Sequence, residues 1–484
     1  MAYRYVGKNT RPFSAITHNN YGRTIIYTNQ NRIDESNIVK ELDKALVYHT
    51  QNATEIEYLD RYYRGDQPIL YRKKDVRPEV NNKVVENIAL FIVETKTSEM
   101  VGEPIQYVLR GTDEEKSRQI AELNSIMEGE DKAFYDIELC RWRSICGTAY
   151  KFIGTNNIKN EPLLDESDFF ISVEDPRITF VVYYSNGRPA FSCQIRKDTE
   201  GNNIYFCYTN GEWFEIIGGK INDKGLNGNR AIPVIEYPNN ERRLSDIEIS
   251  ITLSDEINKM ASDRANGIEQ FVASWVKFVN VDIDMETFSK LRSEGALVVK
   301  SNNGSENKAD VDIMSQELNQ TESQVAVNDL FEKLLVIHGL ADRQTNTGGD
   351  TGSAVTLRNG FYSMEKRSEL SEPIFKRAER NSLRLILNRL KITKGFTLVP
   401  SDVEIKISRT KSDNMQMKAQ VLQMLLQSGV KYERALKTIG LFADPEQVAI
   451  ESRKRMEILY PDEKENINNS SEIVVDSKTK AEIL

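Results

Sequence analysis

Histidine is nearly missing from this chain. Among 484 residues there are three, His18, His49 and His338, unpaired in sequence and outside any HExxH arrangement. That leaves few candidates for the usual metal ligand or general base. Cysteine is scarce too. Cys140, Cys146, Cys193 and Cys207 stand at no metal-ligand spacing, which predicts free buried thiols in a reducing compartment. No GxxxxGK run followed by Ser or Thr occurs. Gly218-Gly219-Lys220 continues into Ile221, lacks the magnesium-binding hydroxyl and reads as a hairpin turn. Long apolar runs are absent. IALFIV, Ile88 to Val93, falls far short of the ~20 residues that span a bilayer. The opening MAYRYVGKNTRPFS has no apolar core of a signal peptide. The expectation is synthesis and folding in a cytoplasm, with no membrane partner.

Positive charge is in deficit: 64 Lys and Arg face 73 Asp and Glu, a net −9. A simple nucleic-acid binder is usually basic, since phosphate neutralisation supplies most of its affinity. Any contact with DNA must therefore be local or weak. The acids themselves form no legible site. Asp282, Asp284 and Glu286 resemble a calcium loop, but Thr287 replaces its glycine and Ser293 its closing acid. An acidic lead into a helix near Glu286 explains them better. No catalytic residue, metal or cofactor is expected.

What is present is helix, sheet and helix again. Residues 1–50 are polar and weakly periodic, like an extended arm, with helical patterning from about Ser36 to Tyr63. Helices are predicted over Val84 to Met100 and Ser117 to Cys146. From Ala149 to Pro238, short aromatic and β-branched runs alternate with turns such as Asn186-Gly187 and Asn210-Gly211, the pattern of an antiparallel meander. Ser245 to Trp275 has apolar residues at helical spacing, a rod of about 28 residues and about 42 Å. A compact module over Lys277 to Leu318 follows, with strand-like ALVVK. A second helix spans about Asn319 to Leu340, and a third about Ser353 to Lys391, with Pro373 placed to kink it. A strand at Asp402 to Arg409 and two further helices close the folded part, and the segment after Tyr460 reads as disordered.

Two features stand out. Thr345 to Arg358, TNTGGDTGSAVTLR, is a small, polar, glycine-rich loop set between two helices. From Arg358 to Lys394 the chain carries ten Lys and Arg against four Glu, a local excess of six positive charges. Either this is a solvated or intersubunit helix face, or a basic belt near a polyanion. A lone helical hairpin capped by a small module would expose much apolar surface, and a ring of copies covers it economically.

Here the chain resembles a known family. LSDIEISITLSDEINKMASDRANGIEQFVASWVKFVNVDID, Leu244 to Asp284, is similar to the stem-entry segment of portal proteins of long-tailed double-stranded DNA bacteriophages. Its Ser262, Asp263, Arg264 and Asn266 reproduce an S-D-R-x-N run of those proteins. Tyr62 to Ile69, Asn81 to Tyr107 and the GDTGSAVTLR loop are similar to that family too, so the likeness runs from about Tyr62 to Arg409.

The resemblance implies an α+β portal fold. Its parts would be an arm (1–50), an α/β wing (51–243), a first stem helix (244–276), a small α/β clip (277–318) and a second stem helix (319–342). A tunnel loop (343–353), a long kinked wing helix with a strand (354–412), a helical crown (413–460) and a tail (461–484) would follow. It implies a self-assembled ring of twelve subunits at one capsid vertex of the virion, through which double-stranded DNA is packaged and ejected. The implied partners are the DNA, the major capsid protein, the terminase large subunit and a head-completion adaptor. Thr345, Asn346, Thr347, Gly348, Gly349, Asp350, Thr351, Gly352 and Ser353 would line the tunnel. Lys259, Arg264, Lys333, Arg343 and Arg358 would be basic residues facing it. Asp282, Asp284, Arg292 and Lys300 would belong to the clip interface. Small polar side chains would let DNA slide, where a basic loop would grip phosphates. Two other readings predict different particles: a metal-dependent DNA-processing enzyme, or a helical scaffold or tail component without a channel.

Overall fold

The computed structural model describes residues 22–75, 78–155, 169–272, 275–279, 310–314, 320–340, 361–407 and 415–439, with a few isolated positions beyond. Nine helices of this mixed α/β chain are used below: α1 Ile38–Tyr63, α2 Ile88–Val101, α3 Glu114–Gly129, α4 Lys132–Cys146, α5 Ile251–Val272, α6 Gln320–His338, α7 Phe361–Thr393, α8 Met415–Gln427 and α9 Tyr432–Ile439. The strands are β1 Ile26–Thr28, β2 Gln106–Leu109, β3 Thr148–Thr155, β4 Phe169–Glu174, β5 Thr179–Tyr184, β6 Pro189–Lys197, β7 Asn203–Tyr208, β8 Glu212–Ile217, β9 Lys220–Leu226, β10 Val234–Pro238, β11 Trp275–Val279, β12 Asp310–Met314 and β13 Val403–Lys406.

The expected meander exists only in part. β5 to β9 run antiparallel in sequence order, and β1 adds to β5 in parallel, making a six-stranded sheet. β3, β4 and β10 form a separate three-stranded sheet, because β3 pairs with β4 on one side and with β10 on the other. The Gly218-Gly219 turn joins β8 to β9 with both glycines at positive φ, as a two-residue hairpin demands. The two-stranded pairs β13–β2 and β11–β12 complete the sheets described.

Three helical expectations need correction. Ser117 to Cys146 is two helices, broken at Asp131, which adopts a left-handed φ of 50°. α3 starts earlier, at Glu114, because the Asp113 side chain accepts from the Lys116 N–H and caps it. The rod predicted over Ser245 to Trp275 is shorter: α5 has 22 residues, about 33 Å, and Trp275 begins β11. The arm is not free of the fold either. From residue 22 onward it supplies β1 and the start of α1, while residues 1–21 lie outside the described part. α7 runs unbroken through Pro373.

A first core joins α3, α4, β2, β3 and β4 to α7 and β13 around Leu123, Leu139, Phe169, Phe375, Leu383 and Ile405. A second packs α1 and β1 on the six-stranded sheet. A third lies among α1, α2, α4 and the entry to α5. A fourth fills the space between α2, α5 and α6, with Ile92, Ile257, Leu334 and Leu335 at its centre. The turn from α4 into β3 needs Gly147. At a φ of 85° it lies against the Arg243 carbonyl, where a Cβ would overlap backbone. All four cysteines are buried free thiols.

The first core contains charge. Glu379 of α7 accepts from Tyr107 and Tyr237 at 2.5 Å each and faces Lys151 at 3.1 Å and Lys132 at 3.3 Å. Asp136 pairs with the same two lysines. Two cations thus meet two anions out of water, with Ser382 on Tyr237 at 2.6 Å closing the network.

Candidate functional site

The helical hairpin α5–α6 and the extended segment 78–87 that crosses it form one unit. α5 turns an apolar stripe toward α2 and α6 through Leu253, Ile257 and Met260. Its other stripe is polar, with Ser254, Asn258, Ser262 and Asn266 spaced four apart and buried, and Ser250 continues the spacing in the turn just before the helix. Three of these side chains accept from alternate backbone N–H groups of the extended segment. Asn258 accepts from Glu86 at 2.8 Å, Ser262 from Val84 at 2.9 Å and Asn266 from Asn82 at 2.6 Å. Four helical residues advance about 6 Å and two extended residues about 6.6 Å, so the two spacings match. The segment therefore satisfies its backbone donors on a helix face, much as a strand does on a neighbour.

Further contacts lock this ladder. Asn258 donates to Gln67 at 2.5 Å, Asn82 to Glu269 at 2.6 Å, and Arg72 pairs with Asp263 at 2.9 Å. Arg264 reaches Gln324 of α6 at 2.6 Å. Ser262, Asp263, Arg264 and Asn266 each fix a different neighbour, which gives the S-D-R-x-N run a structural cause.

At the entry to α5, Asp255 accepts from the Tyr62 hydroxyl at 2.9 Å. Burial raises its carboxyl to about 6 against the downward pull of that hydrogen bond, from an ordinary 3.8. An acid held above its unfolded value costs stability once it ionises, and here the cost is complete above about pH 6. Asp255→Asn keeps the acceptor and removes the charge. The variant is expected to be more stable than the wild type by about 1–3 kcal/mol above about pH 7 and equal to it below about pH 4. Urea denaturation at both pH values measures this, and equal stabilities at the higher pH would refute it.

The chain matches the family model described as "Phage portal protein, SPP1 Gp6-like" over residues 43–458. It belongs to the phage portal family. Its function is that of a phage portal protein, and the family is a structural one. No curated protein matches the chain. Among solved structures, it is similar to a chain from the neck of an empty gene transfer agent particle computed with C6 symmetry. That likeness has 10% identity and a TM-score of 0.43, and covers 73% of this chain and 90% of the other. It is also similar to a chain of the native gene transfer agent virion, at 10% identity and a TM-score of 0.40, covering 80% and 94%.

Of the portal residues singled out from the sequence, three are described. Lys259 pairs with Glu256 at 3.1 Å on α5 and Lys333 with Asp329 at 2.5 Å on α6, each an exposed pair within its own helix. Such pairs add little to stability and partly neutralise the cations. Arg264 bridges the two helices of the hairpin. Thr345 to Ser353, Arg343, Arg358, Asp282, Asp284, Arg292 and Lys300 lie outside the described residues. Sequence reasoning missed the ladder, although its signal was there: small polar residues recurring every fourth position in a helix. It also missed Lys132, Asp136, Lys151 and Glu379: the i,i+4 spacing pairs Lys132 with Asp136, but none ties that pair to Lys151 and Glu379. Among the described residues, no group of three or more His, Cys, Asp or Glu is placed to hold a metal, and no helix is long and apolar enough to cross a membrane.

Proposed function

We propose that copies of this chain close into a ring of twelve at one capsid vertex of the virion, with the α5–α6 hairpins side by side around a channel for double-stranded DNA. The observation that carries this is the hairpin's uncovered apolar surface. Ile268 is 55% exposed, Val325 63% and Val336 72% in a single copy. A neighbouring hairpin would bury them, at roughly 25 cal/mol per Å2 of apolar area removed from water. The ladder supports the same reading, because it holds α5 rigidly to the rest of the subunit.

On this reading residues 51–243 are the wing, 277–318 the clip, 354–412 the long wing helix with its strand, and 413–460 the crown. Thr345 to Ser353 contact the DNA, and their small polar side chains let it slide. Asp282, Asp284, Arg292 and Lys300 meet the terminase large subunit first and the head-completion adaptor later, while the wing meets the major capsid protein. The chain carries no catalysis and needs no cofactor, and ATP hydrolysis belongs to the motor.

Negative-stain electron microscopy of the purified protein tests the proposal. Rings with a channel wide enough for a duplex are expected in views down the axis. Monomers at every salt concentration, or fibres without a channel, would refute it.

A further inference from the structure

Where α6 ends, a cavity of about 190 Å3 opens among α2, α4, α6 and α7. It has room for several waters or one small polyatomic ion. Two neutral groups on its wall lack hydrogen-bond partners among the described residues, and one cation there lacks a counter-charge. Among the described residues the Thr97 hydroxyl and His338 Nδ1 find no hydrogen-bond partner, although these residues are only 4% and 3% exposed. Arg143, 5% exposed, donates to the backbone carbonyls of Pro238 at 3.0 Å, Asn239 at 3.3 Å and, at 3.5 Å, Ser371. Its guanidinium lies 5.7 Å from the centre of the Phe375 ring. Among the described residues no carboxylate lies within ion-pair distance of it. A buried cation in such a setting normally has an anion beside it.

The cavity's own acids leave that position unfilled. Asp246 is taken by Lys96 and Ser144, both at 2.7 Å. The lining holds Lys96, Arg143 and Arg367 against Glu99 and Asp246, so cations are in excess. Arg367 reaches across the end of α6 to donate to the Ile337 carbonyl at 2.6 Å. Gly339 permits this: at a φ of 64° it closes α6, and a Cβ there would overlap the Arg367 side chain. Ser250 lies 2.8 Å from His338 Nε2. The Ile247 carbonyl, 3.4 Å from the same hydroxyl, is the longer of its two contacts; when the hydroxyl donates to Nε2 instead, the imidazole proton sits on Nδ1, on the cavity wall.

We infer that this cavity binds a small oxyanion of the phosphate and sulfate class. Arg143 supplies the buried charge, and the Thr97 hydroxyl and His338 Nδ1–H supply neutral donors. Arg367 lies at the outer side and completes the charge match. A bound anion would tie the end of α6 to α2, α4 and α7 at once. The phosphate group could come from free phosphate or from a nucleic-acid backbone, and the size of the cavity favours the free ion.

The test uses the full-length protein in chloride buffer, titrated with inorganic phosphate at constant ionic strength. The melting temperature and the 31P line width are followed together. A saturable rise in melting temperature is expected. Arg367→Gln removes an exposed side chain and leaves the core intact, and it should weaken the midpoint about tenfold. Thr97→Val, at nearly constant volume, should weaken it about threefold. Adding a short DNA duplex separates the sources. An unchanged phosphate midpoint assigns the site to the free ion, and competition assigns it to backbone phosphates. No saturable response in the wild type, or one midpoint shared by the wild type and Arg367→Gln, would overturn the inference.

Discussion

Glu379→Gln is expected to destabilise the chain by about 3–5 kcal/mol at neutral pH. Glu379 is fully buried and balances Lys132 and Lys151 together with Asp136. The amide would leave two lysines facing one carboxylate, with no water to compensate. Tyr107 and Tyr237 would also lose a charged acceptor. Burial alone would raise the Glu379 carboxyl, but the two lysines and the two phenols override it and hold it far below the ordinary 4.5. A depressed carboxyl contributes stability that is complete above its unfolded value and is lost as pH falls through the folded one. The gap between wild type and variant should therefore be wide from about pH 5 to pH 8 and narrow in stronger acid. Urea melts across that range measure it. A variant as stable as the wild type at neutral pH would show that the cluster is not what closes this core.

Removing two rungs of the ladder should have an effect of similar size, by a different route. Asn258→Ala with Ser262→Ala leaves the N–H groups of Glu86 and Val84 without acceptors and Gln67 without its donor. The orphaned acceptor of buried Gln67 costs about 1–3 kcal/mol and each of the two part-buried N–H groups about 0.5–1.5 kcal/mol, so the double variant should lose about 2–6 kcal/mol. The loss should be local in hydrogen exchange. The amides of residues 84 and 86 should lose protection, while those of β5 to β8 keep theirs. Ser262→Thr retains the hydroxyl and should retain most of the protection. Unchanged exchange at 84 and 86 in the double variant would mean that the segment is held by something other than α5.

The legible parts of the fold were those that repeat locally. α1, α2 and α6 follow apolar spacing and appear within a few residues of where it puts them. The β8–β9 hairpin follows from Gly218-Gly219, and the family resemblance read from the α5 segment agrees with the model match over residues 43–458. What the sequence hid depends on distant partners. Nothing in the texture of 149–238 says that β3 leaves the meander to pair with β10, because alternation marks a strand without naming its neighbour. Asp131 gave no turn signal strong enough to split a helix. Trp275 fitted the helical spacing, yet its strand pairing with Met314 decides its backbone. The ladder was visible as a polar stripe on α5, but its partner lies far earlier in the chain and no local rule names it.

Glu379 also sets a clock on the ribosome. Tyr237, the last earlier member of its cluster, is made 142 positions before it. At about 5–20 residues per second, that separation is a wait of about 7–28 s. Through that interval Lys132 and Lys151 have emerged with Asp136 but without the second carboxylate that balances them. The core they belong to closes only when α7 has been synthesised. A nascent or truncated chain is thus kept from its finished shape until α7, which ends at Thr393 of 484 residues, has been made.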